Sequence, residues 1–384
     1  MAMTSRERVR AALAGEAPDH TPLGDFAIDY DTAERILGRA TYARAKAKCQ
    51  IAYWEGRRDE VVQSLVEDVV ALYKKLDCYD LIAADVMTLG LVPPKGYRPE
   101  APRRVDETTW EYADGRVLKY SAVTADITQV YDPQQWTRPL REEDYPLEWD
   151  YQPPDPSVYE PIYAVIAAFG PGSGDERYLL GPFPRAAQWV QPGGLERSLM
   201  AMVEQPELME RALRSSLERA RVEQAHWVNP GIDGVLDGTD WAYRSGTFMS
   251  PALWRRFCYP ALEANARAAH EHGLTFIQHA CGNNWAILDD FMRAGVDCYQ
   301  SIQASAGMDL SAVRAATRGR MALWGGVPVE RLVSGSPEEV RQSVRAALEI
   351  AREGGFILGS THSIAVGARY DNFMALLDEF VRWR

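Results

Sequence analysis

The sequence predicts a single (β/α)8 (TIM) barrel domain spanning residues 1–384, with an N-terminal helical extension and a hairpin-containing insertion at 91–160. Three observations carry this. From residue 177 onward, apolar β-rich runs alternate with amphipathic stretches at least five times, the pattern of parallel strands joined by crossover helices. At 384 residues the chain suits one elaborated barrel better than an open sheet. Several apolar runs also end in reactive side chains, and barrels place their chemistry where strands end.

The elements follow in order. Thr4 and Glu7 have capping-box spacing and Gly15 suits a stop, which predicts a first helix between them. APDHTPLGDF leads into a first strand. Residues 59–77 have helical periodicity, and YDLIAADVM (79–87) reads as a buried strand. In the proline-rich block at 91–160, TTWEYADGRVLKYSAV places Asp114-Gly115 between two β-rich runs, a two-residue hairpin signal. RYLLGPF, GIDGVLDGTDW, LTFIQHACG, VDCYQSIQ, RMALWGGV and FILGSTHSI read as strands. Between them, helices are expected over 194–229, 251–273, 284–295 and 309–318. A last one, capped by Ser336 with Pro337 and Glu339, runs to Gly354-Gly355.

Composition narrows the function. Net charge is −12 with no basic stripe, which argues against nucleic-acid binding. No apolar run approaches a membrane span. Five scattered cysteines in a large chain read as reduced thiols, and the expectation is a cytoplasmic protein acting on a small molecule.

Strand alternation puts His279 and Cys281 on one face, at the end of FIQHACGNN. An imidazole and a thiol converging at a barrel mouth suit Zn²⁺. The plainer alternative is a hydrogen-bonded core histidine beside a small buried cysteine. His362 follows the last strand and is either a third metal ligand, with one position left open, or a metal-free general acid or hydrogen-bond donor. In VLDGTDWAYRSG, Asp240 is a candidate for orienting a ligand or moving a proton. Trp241 and Tyr243 are candidate walls for an apolar substrate, and Arg244 either pairs with Asp237 or Asp240 or binds substrate. Asp85 is a further carboxylate near a strand end, and Gln303 stands at the far end of its strand. Cys298 begins that strand and belongs at the bottom.

RERVRAALAGEAPDHTPL, DGTDWAYRSGTFMSPALWRRF, FIQHACGN, VDCYQSIQASAGMDL, ALWGGVPVERL, SPEEV and GGFILGSTHSI together resemble the uroporphyrinogen decarboxylase superfamily. The resemblance implies a (β/α)8 barrel and one of two chemistries. In the decarboxylase branch, arginines after the first strand grip the porphyrinogen carboxylates. Here TPLGDFAIDYDTAERIL holds no arginine before Arg35, which argues against that substrate, although Asp85 and His362 match acid and histidine positions of that branch. In the zinc methyltransferase branch, H-x-C and a later cysteine hold the metal. His279 and Cys281 match the first two, and His362 stands in the region of the third.

The expectation is a zinc-dependent methyltransferase or demethylase moving a methyl group from a small methylated substrate to a corrinoid protein or a thiol. His279, Cys281 and His362 would hold Zn²⁺, with Asp240, Asp85 and His362 as catalytic groups. Phe183, Trp241, Tyr243, Arg244 and Gln303 would contact substrate. The chain lacks a corrinoid-binding D-x-H-x-x-G pattern, so a corrinoid would come on a separate protein. The resemblance also implies a homodimer. The alternatives are a metal-free decarboxylase or lyase acting on a small carboxylate, and a non-catalytic binding protein.

Overall fold

The computed structural model describes residues 3–189 and 193–384. Seven parallel strands follow one another round the sheet in chain order: Leu81–Ala83, Tyr178–Leu180, Gly234–Gly238, Thr275–His279, Cys298–Ser301, Ala322–Val327 and Phe356–Ser360. The eighth place is taken by the chain from Pro22 to Ile28. The Leu358 N–H donates to the Pro22 carbonyl at 2.8 Å and the Gly24 N–H to the Leu358 carbonyl at 3.0 Å. On the other side, the N–H groups of Asp80 and Leu81 donate to the Leu23 carbonyl at 2.8 and 3.2 Å. The sheet thus closes on itself as the sequence predicts, leaving no open edge in the barrel.

Alternate side chains fill the interior. Leu81, Tyr178, Leu236, Ile277, Cys298 and Trp324 form one buried cluster, joined from below by Val9 and Ala12. Those two lie on the helix Ser5–Leu13, which carries the expected Thr4/Glu7 capping box and stops the bottom of the barrel. Two buried carboxylates hold it there. Asp80 accepts from Arg8 at 2.6 Å and from the Leu23 N–H at 3.0 Å. Asp233 accepts from Arg6 and Arg10, each at 2.7 Å, and from the Leu179 N–H at 3.1 Å.

Outside, helices cover the strands. In Pro337–Ala351, Val340, Val344, Ala347 and Leu348 are buried at helical spacing. Each buried valine or leucine contributes about 1.5–3 kcal/mol. The long helix expected at 194–229 is two, Leu195–Glu204 and Pro206–Gln224, because Pro206 cannot continue the preceding hydrogen-bond ladder. The one expected at 251–273 breaks likewise, into Pro251–Phe257 and Tyr259–Glu271, at Pro260. The run 79–87 is strand only over Leu81–Ala83 and then turns into the short helix Ala84–Met87, which carries Asp85.

Within 91–160, Asp114-Gly115 does lie between two paired strands, Thr109–Glu111 and Val117–Ser121. The loop is longer than two residues: Tyr112 pairs with Arg116 and Gly115 takes a φ of +85°. Strands Arg103–Arg104 and Asp126–Tyr131 extend the pair to a four-stranded antiparallel sheet. It leans on the helix Lys46–Trp54 through Trp110 and Trp54, ring centroids 5.8 Å apart. No helix among the described residues is long and apolar enough to cross a membrane.

The ion pairs beneath the barrel give a stability test. Asp80→Ala strands the buried Arg8 guanidinium and the Leu23 N–H, and should lower unfolding free energy by about 3–5 kcal/mol in urea titration. Asp80→Asn, which keeps an acceptor for Leu23, should lose less.

Candidate functional site

At the opposite end, the strand Thr275–His279 delivers His279 into the mouth and the chain turns sharply. The turn depends on Gly282, whose φ is +84° and whose added Cβ would stand 2.3 Å from the Ala242 carbonyl oxygen. Only glycine fits there. The turn brings the Cys281 Sγ to 3.4 Å from His279 Nε2 and 3.4 Å from the Ser301 hydroxyl. His362, just beyond Phe356–Ser360, reaches the same point from across the mouth. One donor atom from each of His279, Cys281 and His362 lies within 4.8 Å of the others.

Two hydrogen-bond chains fix the imidazoles. Gln300 donates its Nε2–H to the Ser360 carbonyl at 3.2 Å, so its Oε1 must face His279 Nδ1, with which it is bonded. His279 therefore carries its proton on Nδ1 and offers the Nε2 lone pair on the Cys281 side. The Ser363 hydroxyl donates to Asp29 Oδ2 at 3.2 Å, so its oxygen accepts from His362 Nδ1 at 3.1 Å, freeing Nε2 there also. Asp29 is in turn held by Arg44 at 3.0 Å. Phe26 lies over both rings, 4.3 Å from His279 and 5.8 Å from His362 between centroids.

Burial keeps the three donors neutral. It lowers the pKa of His279, lowers His362 to about 4 with help from neighbouring His279, and pushes the Cys281 thiol up to about 12. The geometry suits a tetrahedral cation. With about 2.0–2.1 Å to nitrogen and about 2.3 Å to sulfur, Zn²⁺ sets N and S about 3.5 Å apart, against 3.4 Å for His279 and Cys281.

Asp240 accepts from the Cys281 N–H at 2.7 Å and so holds the ligand turn. Gln303 does not face the cluster: its Oε1 accepts from the Gly282 N–H at 3.0 Å, a support for the turn rather than a substrate contact. The four other expected substrate contacts also stand elsewhere. Phe183 is buried in the core, edge-on against Trp227 and His272. Trp241 is wholly buried against Trp254 and Phe291, completing the core beneath its loop. Arg244 is exposed and donates to the Ser305 carbonyl at 3.2 Å, pairing with neither Asp237 nor Asp240. Tyr243 stands exposed on the hairpin Ala242–Tyr243/Gly246–Thr247, edge-on to Phe248, at the rim rather than as a wall. Asp85 is buried, and burial raises its pKa. Asp237 faces Arg185 at 3.7 Å. Cys298 sits in the barrel interior, away from the cluster.

Gln300, Ser363, Asp29 and Phe26 escaped the sequence reading. Gln300 had a signal, since it is in phase with Cys298 on the inward face. The strand ends at Ser301 because Ser301 and Ile302 adopt φ of 111° and 53°. That strained turn deflects Gln303.

A family profile described as uroporphyrinogen decarboxylase (URO-D) matches residues 178–383, more than half of the chain. The chain belongs to the uroporphyrinogen decarboxylase family. Among solved structures, this family member is similar to a methyltransferase from Methanosarcina mazei, with TM-score 0.67 and 18% identity over 99% of both chains. It also aligns with a putative vitamin-B12 independent methionine synthase from Listeria monocytogenes, with TM-score 0.43 and 11% identity over 95% of this chain and 96% of that one. The first likeness shows a shared fold; the second is too distant to carry an argument. No curated protein sequence matches significantly.

Gly282→Ala should lower the unfolding free energy by about 1–3 kcal/mol, since it forces a Cβ onto the Ala242 carbonyl at positive φ. An unchanged urea midpoint would show that the turn relaxes freely.

Proposed function

We propose that this family member is a zinc-dependent methyltransferase or demethylase that moves a methyl group from a small methylated substrate to a corrinoid protein or a thiol. The observation that carries the reading is the convergence of His279, Cys281 and His362 at the barrel mouth, both imidazoles presenting Nε2. Bound by these three with a fourth position open, Zn²⁺ would supply Lewis acidity, lowering the pKa of a thiol, alcohol or water or polarising a methyl donor. The fold shared with the Methanosarcina methyltransferase supports the same reading.

The chain's own residues do the rest. Gln300 and Ser363 hold the two tautomers, and Phe26 shields the rings from water. Asp240 positions Cys281 through one oxygen and leaves the other to accept a proton or hydrogen bond from bound substrate. The acceptor is a separate corrinoid protein or a thiol, and the working form is a homodimer.

A second reading, a metal-free decarboxylase or lyase, is favoured by Asp85, whose raised pKa would let it hold a proton. His362 weighs against it: neutral, with its Nδ1–H tied to Ser363, it is a poor proton donor.

Elemental analysis separates the two. Purified protein should carry about one zinc per chain, lost in His279→Ala and Cys281→Ala and retained in Cys298→Ala; active protein free of metal would establish the lyase. Gln300→Leu should keep the fold but weaken zinc binding about 10–100-fold in chelator competition, because His279 loses the partner that sets its tautomer. Unaltered affinity would mean that packing alone orients the ring.

A further inference from the structure

At the bottom of the barrel, opposite the ligand cluster, lies a recess of about 420 Å³. Its walls come from the end of the Ser5–Leu13 helix and from residues that lead into three strands, Cys298–Ser301, Ala322–Val327 and Phe356–Ser360. The charged or titratable groups that line it are His270, Asp297, Arg314, Arg318, Arg320 and Glu353.

Arg314 sets this place apart. Among the described residues five arginines are buried: Arg8, Arg44, Arg58, Arg177 and Arg314. The first four each meet a carboxylate, on Asp80, Asp29, Glu160 and Asp175 respectively. Arg314 is 8% exposed and has no carboxylate within salt-bridge distance among the described residues. It donates to the carbonyls of Gly354 at 2.5 Å and Gly355 at 3.3 Å, and its Nε–H is buried without a partner. A guanidinium has five N–H groups, so most of its donor capacity is unspent. A buried charge without a counter-ion is costly. Burial works against Arg8 too, but Asp19 and Asp80 leave its pKa raised. Burial leaves that of Arg314 lowered, the two carbonyls notwithstanding.

The chain nonetheless makes room for this side chain. Gly354 and Gly355 take φ of +76° and +66°, and a Cβ on Gly355 would stand 2.7 Å from Arg314 Nη1. Two glycines in a row let the guanidinium lie against the backbone.

The neighbouring charges do not supply the missing anion. Glu353, the carboxylate within electrostatic reach of Arg314, is held by Arg318 at 3.3 Å. Asp297 is bonded to His270 at 2.8 Å and accepts from the Phe276 N–H at 2.7 Å. Arg320 stands 2.9 Å from Asp289, which it shares with Arg293. Three arginines thus line the recess against two carboxylates, both already engaged. His270 adds to the positive side when protonated, and its bond to Asp297 raises its pKa.

We propose that this recess binds a small oxyanion of the phosphate type, with Arg314 as its anchor and the exposed Arg318 and Arg320 closing on it from the rim. A planar guanidinium fork matches phosphate oxygens, and several of them together suit a dianion. Free phosphate and a phosphate group carried on a larger molecule present the same oxygens. The site is separate from the mouth and rests on no reading of metal or methyl chemistry.

The test is isothermal titration calorimetry of the full chain with inorganic phosphate, methyl phosphate and acetate, at constant ionic strength in chloride. Inorganic phosphate or methyl phosphate should saturate a single site per chain, at least about tenfold tighter than acetate. Tighter binding of inorganic phosphate identifies the free ion; tighter binding of the ester identifies a phosphate group on a larger molecule. Arg314→Gln should weaken binding at least about tenfold. Arg314→Lys keeps the charge but not the fork, should also weaken binding, and decides the matter if the glutamine variant does not fold. His279→Ala should leave the affinity unchanged. No saturable binding, acetate binding as tightly as phosphate, an affinity unaltered in every Arg314 variant that folds, or an affinity lost in His279→Ala overturns the assignment.

Discussion

The mouth of this barrel is organised by one buried amide. Gln300 joins His279 Nδ1 to the Ser360 carbonyl, and so couples a donor on one strand to the end of the strand that leads into His362. Both ends of the amide are satisfied, and losing either would leave a buried polar group at a cost of about 1–3 kcal/mol. The rotation of His279, its proton position and the start of the His362 loop are thereby fixed together. Cys281 is placed independently, by Gly282 and by the Asp240 carboxylate on its N–H. The cluster needs both arrangements, since a thiol two residues from His279 meets its imidazole only if the chain turns and the ring does not.

The two ends of the barrel use polar groups in opposite ways. Beneath it, Asp80 and Asp233 are saturated by arginines and backbone N–H groups, and their work is to hold the Ser5–Leu13 helix in place. At the mouth, Cys281 and the two imidazole Nε2 atoms are left short of strong partners, and Gln188 has an idle oxygen. Backbone strain collects at the same end, at Ser301 and Ile302. A β-branched residue at φ 53° costs of order 1–3 kcal/mol, and here it brings the Ser301 hydroxyl to the Cys281 thiol.

The scaffold and the cluster were legible because both rest on short-range periodicity. Alternation of strand and helix gave the barrel, and the two-residue period of a strand put His279 and Cys281 on one side. What failed was whatever depends on how a loop leaves its strand. Trp241 and Phe183 were placed at the mouth because each follows a strand, but an aromatic ring goes where apolar volume is unfilled, and both turned into the core. Gln303 misses the cluster because nothing in VDCYQSIQ announces two positive-φ residues that end the strand early. Phe26 and Asp29 were out of reach for another reason: Phe26 stands more than 250 residues before both histidines and Asp29 as far before Ser363, the chain neighbour of His362, and only closure of the barrel by Pro22–Ile28 brings them together.

The donor set also bears on what the site can act upon. Two neutral imidazoles and one thiolate would bring a single negative charge to a divalent cation and leave it net positive, whereas one imidazole and two thiolates would neutralise it. A centre with residual charge polarises a weakly acidic or weakly basic ligand more strongly, an alcohol, water or amine rather than a thiol that ionises readily. Asp240, whose carboxylate accepts from the Cys281 N–H, would temper that charge at longer range. Arginines stand against the nearby carboxylates: Arg185 faces Asp237 at 3.7 Å and Arg44 holds Asp29 at 3.0 Å. What disfavours a strongly anionic substrate of the porphyrinogen kind is the first strand, where TPLGDFAIDYDTAERIL offers no arginine before Arg35 to grip its carboxylates.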